Sequence, residues 1–384
     1  MATLQEHPTR SAKPASAPLL TRVGRALRKE SGMLIIFVLL GLFPFIFGVL
    51  SGEGAQSGPA RFWQGQLIAF FIMGVYAMSY DLLFGYTGIL SFGQAAFFGV
   101  GAYTMALFFK HAAPAIASQY QVFLPGGVNI TDAVLMIMAV LLVMVVGVLM
   151  GLLFSAVSLR VRGVYYTMIT LAMAEAFYIL SKTTDLIQWT GADEGLHGVD
   201  FPAWINPTQN RLLFYYVAFV FLLLSFLFLR RIVSSPTGRV FIALRENENR
   251  VRRIGYNPSV YRGLAFVISA LAASLAGALY SIWNIGATPS MVSTTTTVNA
   301  LIMVIMGGMG TLSGPILGAG LMQVLGQFLY QWFGQRWPLV FGLFFIALVM
   351  FLPYGIIGTL RQRSSSAGRG WKQLVGMVSG KKEE

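Results

Sequence analysis

From Met33 onwards the chain is a succession of apolar stretches of about 20 residues, nearly free of charge and joined by polar connections. Nothing else in it constrains the fold as strongly, because each stretch is long enough to cross a hydrocarbon layer as a helix. The stretches run over 33–50, 65–84, 89–109, 133–158, 163–181, 212–229, 260–283, 293–309, 313–334 and 337–354. Composition agrees: 56% of the 384 residues are hydrophobic and 11% charged, where soluble domains carry about 25% charge. A chain this apolar does not stay solvated as a disordered one does. The expected fold is an all-α polytopic membrane protein, a bundle of about ten transmembrane helices. The range is eight to ten, because 89–109 and 293–309 are short or interrupted by glycine. Met33–Leu50 is too long for a signal-peptide core of about 7–15 residues, so it is expected to be a retained span.

The net charge of +13 is distributed rather than general. With ten spans and the N-terminus inside, 22 of the 27 Lys and Arg fall in inside segments, namely 1–32, 159–162, 230–262 and 361–384. The outside segment 182–211 instead carries Asp185, Asp193, Glu194 and Asp200. This is the positive-inside pattern, with both termini cytoplasmic, and it explains the basic charge without nucleic acid. The expected organisation is a basic tail 1–32, a transmembrane domain 33–360 with a cytoplasmic loop at 230–262, and a basic tail 361–384 facing membrane lipid.

Several chemistries are missing. There is no phosphate-binding G-x-x-x-x-G-K-[ST] loop and no G-x-S-x-G elbow. There is no cysteine, and His7, His111 and His197 lie far apart. The expectation is therefore no enzyme, no metal and no cofactor.

What remains is irregularity inside apolar segments. Five glycines fall between Gly85 and Gly101. Non-helical backbone at membrane depth survives only where protein or water buries it, so Gly88, Ser91, Gly93, Gln94 and Tyr103 are expected to line a translocation path. Close helix packing through small residues is the alternative. A second such segment holds Gly307, Gly308, Gly310, Gly314 and Pro315. Both segments read G-x-x-G-x-L-S, at 85–91 and 307–313, a weak hint of an internal repeat. Ser269, Ala273, Gly277 and Ser281 recur at i+4 and give one small helix face, expected to pack closely. Asp81 and Glu175 are the acids expected inside spans, where charge costs about 2.5–3.5 kcal/mol. Asp81 is expected to pair with Arg160 or Arg162. Glu175 either binds a substrate ammonium or pairs with a neighbouring helix.

The loop 230–262 has helical spacing over 238–254, with Val240, Ala243, Leu244, Val251 and Ile254 on one stripe. Gly255 and Pro258 end it. Such a stripe needs a partner, either headgroups or another protein's groove. The run from Pro236 through Arg239, Ala243, Arg245, Glu246, Asn247 and Glu248 to Gly255 and Tyr256 resembles the coupling loop P-x-G-R-x-x-x-A-x-R-E-N-E of ABC importer permeases of the branched-chain amino-acid type. GYTGILSFGQAAFFGVGAY, LRVRGVYYTMITLAMAE, LAFVISALAASLAGALY and GGMGTLSGPILGA resemble four further stretches of that family, over roughly 65–360. Of its two membrane subunits the chain looks most like the LivM type. The resemblance implies a transport subunit in a bacterial inner (plasma) membrane. It also implies a second homologous permease subunit as heterodimer partner, two cytoplasmic ATPase subunits that dock on the loop, and a soluble substrate-binding protein. Position 94 is Gln where relatives often carry His, a departure that bears on substrate, and Tyr80-Asp81 and the Gly255–Pro258 run are also similar to related urea importers. An ion-coupled secondary transporter is a third reading, with Asp81 and Glu175 as its coupling acids.

Overall fold

The computed structural model describes residues 31–50, 58–119, 130–158, 161 and 163–359. The tail residues 1–30 and 360–384, together with Arg160 and Arg162, lie outside the described residues. The architecture is almost wholly helical. Helix α1 spans Ser31–Leu50 and α2 spans Gly58–Asp81, continued by a π turn at Leu82–Tyr86. Helix α3 spans Gln94–Leu107, α4 Ala113–Gln119, α5 Ile130–Ser158, α6 Val164–Lys182 and α7 Ile187–Thr190. Then come α8 (Arg211–Val233), α9 (Pro236–Glu246), α10 (Glu248–Arg253) and α11 (Pro258–Trp283). The last three are α12 (Thr294–Gly307), α13 (Ser313–Phe333) and α14 (Trp337–Phe351). The two-residue strands β1 (Leu196–His197) and β2 (Gly286–Ala287) pair antiparallel.

Among the described residues, five helical stretches are long and apolar enough to cross a membrane: Gly58–Tyr86, Ile130–Val157, Arg211–Val233, Pro258–Trp283 and Ser313–Thr359. The last turns at Gly334 and holds both α13 and α14. Phe37–Gly48 and Thr294–Gly307 are shorter apolar helices.

Burial separates centre from rim. Helices α2 and α11 are mostly buried, whereas α5 and α8 are one-third buried and Ser313–Thr359 less. Helix α11 packs on α2, α3 and α5, and α13 packs on α2 and α12. The small face explains the central place of α11. Ser269, Ala273, Gly277 and Ser281 are all buried. A Cβ at Gly277 would collide with the Phe98 carbonyl, and one at Gly101 with the Ser274 backbone. Each helix thus presents a glycine to the other's main chain, the small-residue contact that lets membrane helices approach.

Two sequence expectations change. The segment expected as a span over 89–109 begins its helix only at Gln94; residues 88–93 are irregular, with Ser91 and Gly93 buried, Ile89, Leu90 and Phe92 half-buried and Gly88 exposed. Their backbone groups are met from afar. Phe92 N–H donates to Thr170 Oγ1 (3.1 Å), and the Thr297 hydroxyl donates to Phe92 O (3.2 Å). Ala95 N–H donates to Thr297 Oγ1 (2.9 Å) and Gly93 N–H to Ser91 Oγ (3.2 Å). This is how broken backbone survives at depth.

The single helix expected over 238–254 is two. Asn247 leaves helical geometry (φ −161°, ψ 103°), and its side chain accepts from Arg250 N–H, capping α10. Ser235 and Pro236 open α9 as N-cap and first residue. Gly255 (φ +92°) closes α10: its N–H reaches Arg252 O and Tyr256 N–H reaches Val251 O, a Schellman end. The apolar stripe also finds its partner at home. Val240, Leu244 and Val251 are buried together with Ala243 and Tyr261 packed on them. Phe241 joins the main core, while Ile254 is exposed.

Candidate functional site

The irregular segments and the loop converge at one end of the bundle. Asp81 closes α2, and its Oδ1 accepts the Gly310 N–H at 2.8 Å. The space a Cβ at Gly85 would need is filled by the Asp81 carboxylate and the Gly310 nitrogen. From α9, Arg245 Nη1 donates to Gly85 O. The Arg245 stem lies across Gly88, where a Cβ would meet its Cγ at 2.9 Å; a Cβ at Gly310 would stand 3.2 Å from its Nη1. Asp81 accepts a backbone N–H here; its expected pairing with Arg160 or Arg162 falls on residues that the structure does not describe. The other expected loop residues point elsewhere. Arg239, Glu246 and Asn247 are exposed, and Glu248 forms an ion pair with Arg262 at the start of α11.

The segment 307–315 completes this junction. Gly307 ends α12, and a Cβ there would collide with the Gly314 backbone. Gly308 lies against the backbone of Tyr354, and Pro315 sits in the first turn of α13. The fourth glycines of the two matching heptapeptides, Gly88 and Gly310, share a left-handed backbone, φ +73° and +71°. Only glycine adopts it freely. The resemblance between the two heptapeptides therefore extends to backbone conformation.

At the other end lies a cavity of about 930 Å³ between α2, α12 and α13. Met73, Phe98, Met303 and Met322 make its apolar wall. Asn299, Gln323 and Gln327 are polar groups on it, all neutral. The amides are ordered by Gln66: Gln323 Nε2 donates to Gln66 Oε1 (2.7 Å), and Gln66 Nε2 donates to Gln327 Oε1 (3.2 Å). Lys182, Asp193 and Glu194 carry charge on its lining, with Lys182 Nζ 2.9 Å from Asp193 Oδ1. Both partners are exposed, so the pair contributes little, roughly 0–1 kcal/mol.

None of the residues expected to line a path lines this cavity. Gln94 is fully buried, donating to Ser79 Oγ (2.8 Å) and Ser269 Oγ (3.0 Å), and Ser269 in turn donates to Ser79 O (2.6 Å). That network ties α2, α3 and α11. Gly93 packs on the Phe154 ring, and Ser91 and Tyr103 are buried. Gln94→Leu should lower stability by about 1–3 kcal/mol, since buried hydroxyls lose a partner. Thermal unfolding in detergent measures it, and an unchanged midpoint would show the clasp to be energetically idle.

Glu175 has a neutral partner. The Thr294 hydroxyl, in the first turn of α12, donates to its Oε1, and a carboxylate at a helix N-terminus is favoured by about 0.3–1 kcal/mol. Glu175→Gln keeps the acceptor and loses only that charge. Its expected loss is below ~1 kcal/mol, not the ~3–5 kcal/mol of a broken buried ion pair. A larger loss in thermal unfolding would reveal a charged partner.

Apolar spans in tandem, a glycine junction at one end and a cavity lined by carboxamides and apolar side chains at the other are the features of a multi-pass membrane protein. The chain belongs to the family described as branched-chain amino acid transport system / permease component, which matches residues 64–353. It is similar to the probable branched-chain amino acid transport permease protein LivM of Methanocaldococcus jannaschii, with 26% identity over 66% of this chain and 76% of that one. It is also similar to the high-affinity branched-chain amino acid transport system permease proteins LivM of Salmonella typhimurium and Escherichia coli, each 26% identical over 75% of this chain and 68% of theirs. No solved structure matches the chain.

Proposed function

We propose that this chain is the membrane-spanning permease subunit of an ATP-driven importer of branched-chain or similar hydrophobic amino acids. In this reading it crosses a bacterial inner membrane ten times with both termini cytoplasmic. It pairs with a second homologous permease, takes substrate from a soluble binding protein, and is driven by two ATPase subunits docked on α9 and α10. The cavity is its share of the substrate route. The observation that supports this best is the cavity wall itself, apolar methionines and phenylalanine beside three neutral carboxamides. An aliphatic side chain suits the first. Amides accept from an ammonium and donate to a carboxylate without holding either as a fixed charge would, and a passage must bind weakly enough to release. The described residues hold no group of three or more acids, histidines or cysteines placed to bind a metal.

The test is reconstitution of the four kinds of subunit in vesicles with radiolabelled leucine, isoleucine, valine and urea. ATP-dependent uptake of the three amino acids, and not of urea, is expected. Uptake of urea alone would assign the chain to a short-amide importer. Uptake by this chain without ATPases would make it a secondary transporter.

A further inference from the structure

We propose that Arg245 is the pin that carries movement of the α9–α10 pair into both glycine turns at once, and through them to the cavity wall. The inference rests on the importer reading above, but it assigns a role to an exposed loop residue whose guanidinium reaches back to the glycine turns.

The helix pair is anchored to the permease by its own apolar side, through Val240, Phe241, Leu244 and Val251. A displacement imposed from the cytoplasm therefore moves it as a body. One polar side chain from it enters the junction. Arg245 bonds Gly85 O in the first turn, crosses Gly88, and brings Nη1 against Gly310 in the second. The two turns have the same pattern and the same left-handed glycine, and Asp81 joins them through the Gly310 N–H.

Each turn heads a helix that reaches the cavity. The first leads into α3, which supplies Phe98, and the second into α13, which supplies Gln323 and Gln327. Gln323 lies ten residues beyond Ser313, about 15 Å along a helix. A small shift at the guanidinium is thus passed along two rigid helices to opposite parts of one chamber. An arginine suits this place because its planar guanidinium holds Nη1 in one fixed direction, on Gly85 O and beside Gly310. A lysine offers a single point charge on a flexible stem.

The experiment uses the whole importer in vesicles and reads assembly, ATPase rate and leucine uptake for Arg245→Ala and Arg245→Lys. Both variants should assemble, keep ATPase activity within about twofold, and lose at least tenfold in leucine carried per ATP. Lysine should not rescue. A normal ratio in Arg245→Ala overturns the proposal. Failure of both single variants to assemble, or rescue of uptake by lysine, overturns it in favour of a purely structural contact. Absence of ATP-driven uptake by the unaltered complex overturns the importer reading and the pin with it.

Discussion

Gly277→Val is expected to leave almost no folded protein. At this position α11 and α3 approach until a Cβ would fall on the Phe98 carbonyl, and the reciprocal contact at Gly101 meets the Ser274 backbone. Neither obstacle is a side chain that can rotate away, so the helices must separate. Ordinary overpacking costs about 1–3 kcal/mol. Separation also strains the Ser274 hydroxyl bond to Phe97 O (3.0 Å) and the Gln94 bond to Ser269. A total above ~3 kcal/mol is expected, against stabilities of about 5–15 kcal/mol. Gly342→Val is the control, since no atom lies within 4 Å of the Cβ it would add. Monodisperse yield and unfolding midpoint in detergent decide the matter. If Gly277→Val unfolds alongside the control, the helices do not cross this closely.

The five long apolar helical stretches were legible because apolar length needs no tertiary information. Their interruptions were not. That α3 starts at Gln94 rather than near Ile89 depends on Thr170 and Thr297, which are remote in sequence and meet the backbone of Phe92. The stripe Val240, Leu244 and Val251 was legible in the loop. Its partner was not, because burial against Tyr261 and burial in another protein call for the same residues. The break at Asn247 was readable in principle, since asparagine before Glu248 is a helix-start signal. Glycine density and ionisable groups drew attention to the end that holds Asp81 and Arg245, and away from the cavity. Asn299, Gln323 and Gln327 carry no charge and sit outside the two glycine segments 85–101 and 307–315. Their signal was spacing: Thr295 with Asn299, and Gln323 with Gln327, place polar groups four apart on otherwise apolar helices, one face each. The Gln94 difference from histidine, suggestive of another substrate, is better explained by its buried bonds to Ser79 and Ser269 than by contact with cargo.

Gln323→Leu combined with Gln327→Leu should reduce leucine uptake by about one to two orders of magnitude while the importer still assembles. The argument starts from the cavity. Both amides line open space, and their one shared partner, Gln66, is only part-buried, so water can replace them at little structural cost. What disappears is the pair of groups able to meet a zwitterion's charged ends during passage. Two such hydrogen bonds amount to about 1–3 kcal/mol, and each 1.4 kcal/mol is roughly tenfold in rate. The loss should fall on the maximal rate as well as on apparent affinity, because delivery by a binding protein would leave the first encounter unchanged. Lys182→Ala and Asp193→Ala sit on the same lining but in an exposed pair, worth at most about 1 kcal/mol, and should change uptake less than about fivefold. Met303→Leu keeps the volume of the apolar wall and should be close to neutral. The pattern separates a route from a mere surface hollow. If the double leucine variant transports at the normal rate, the substrate passes elsewhere, and the segment from Gly88 to Tyr103, where Ser91, Gln94 and Tyr103 are buried, must open during the cycle to admit it.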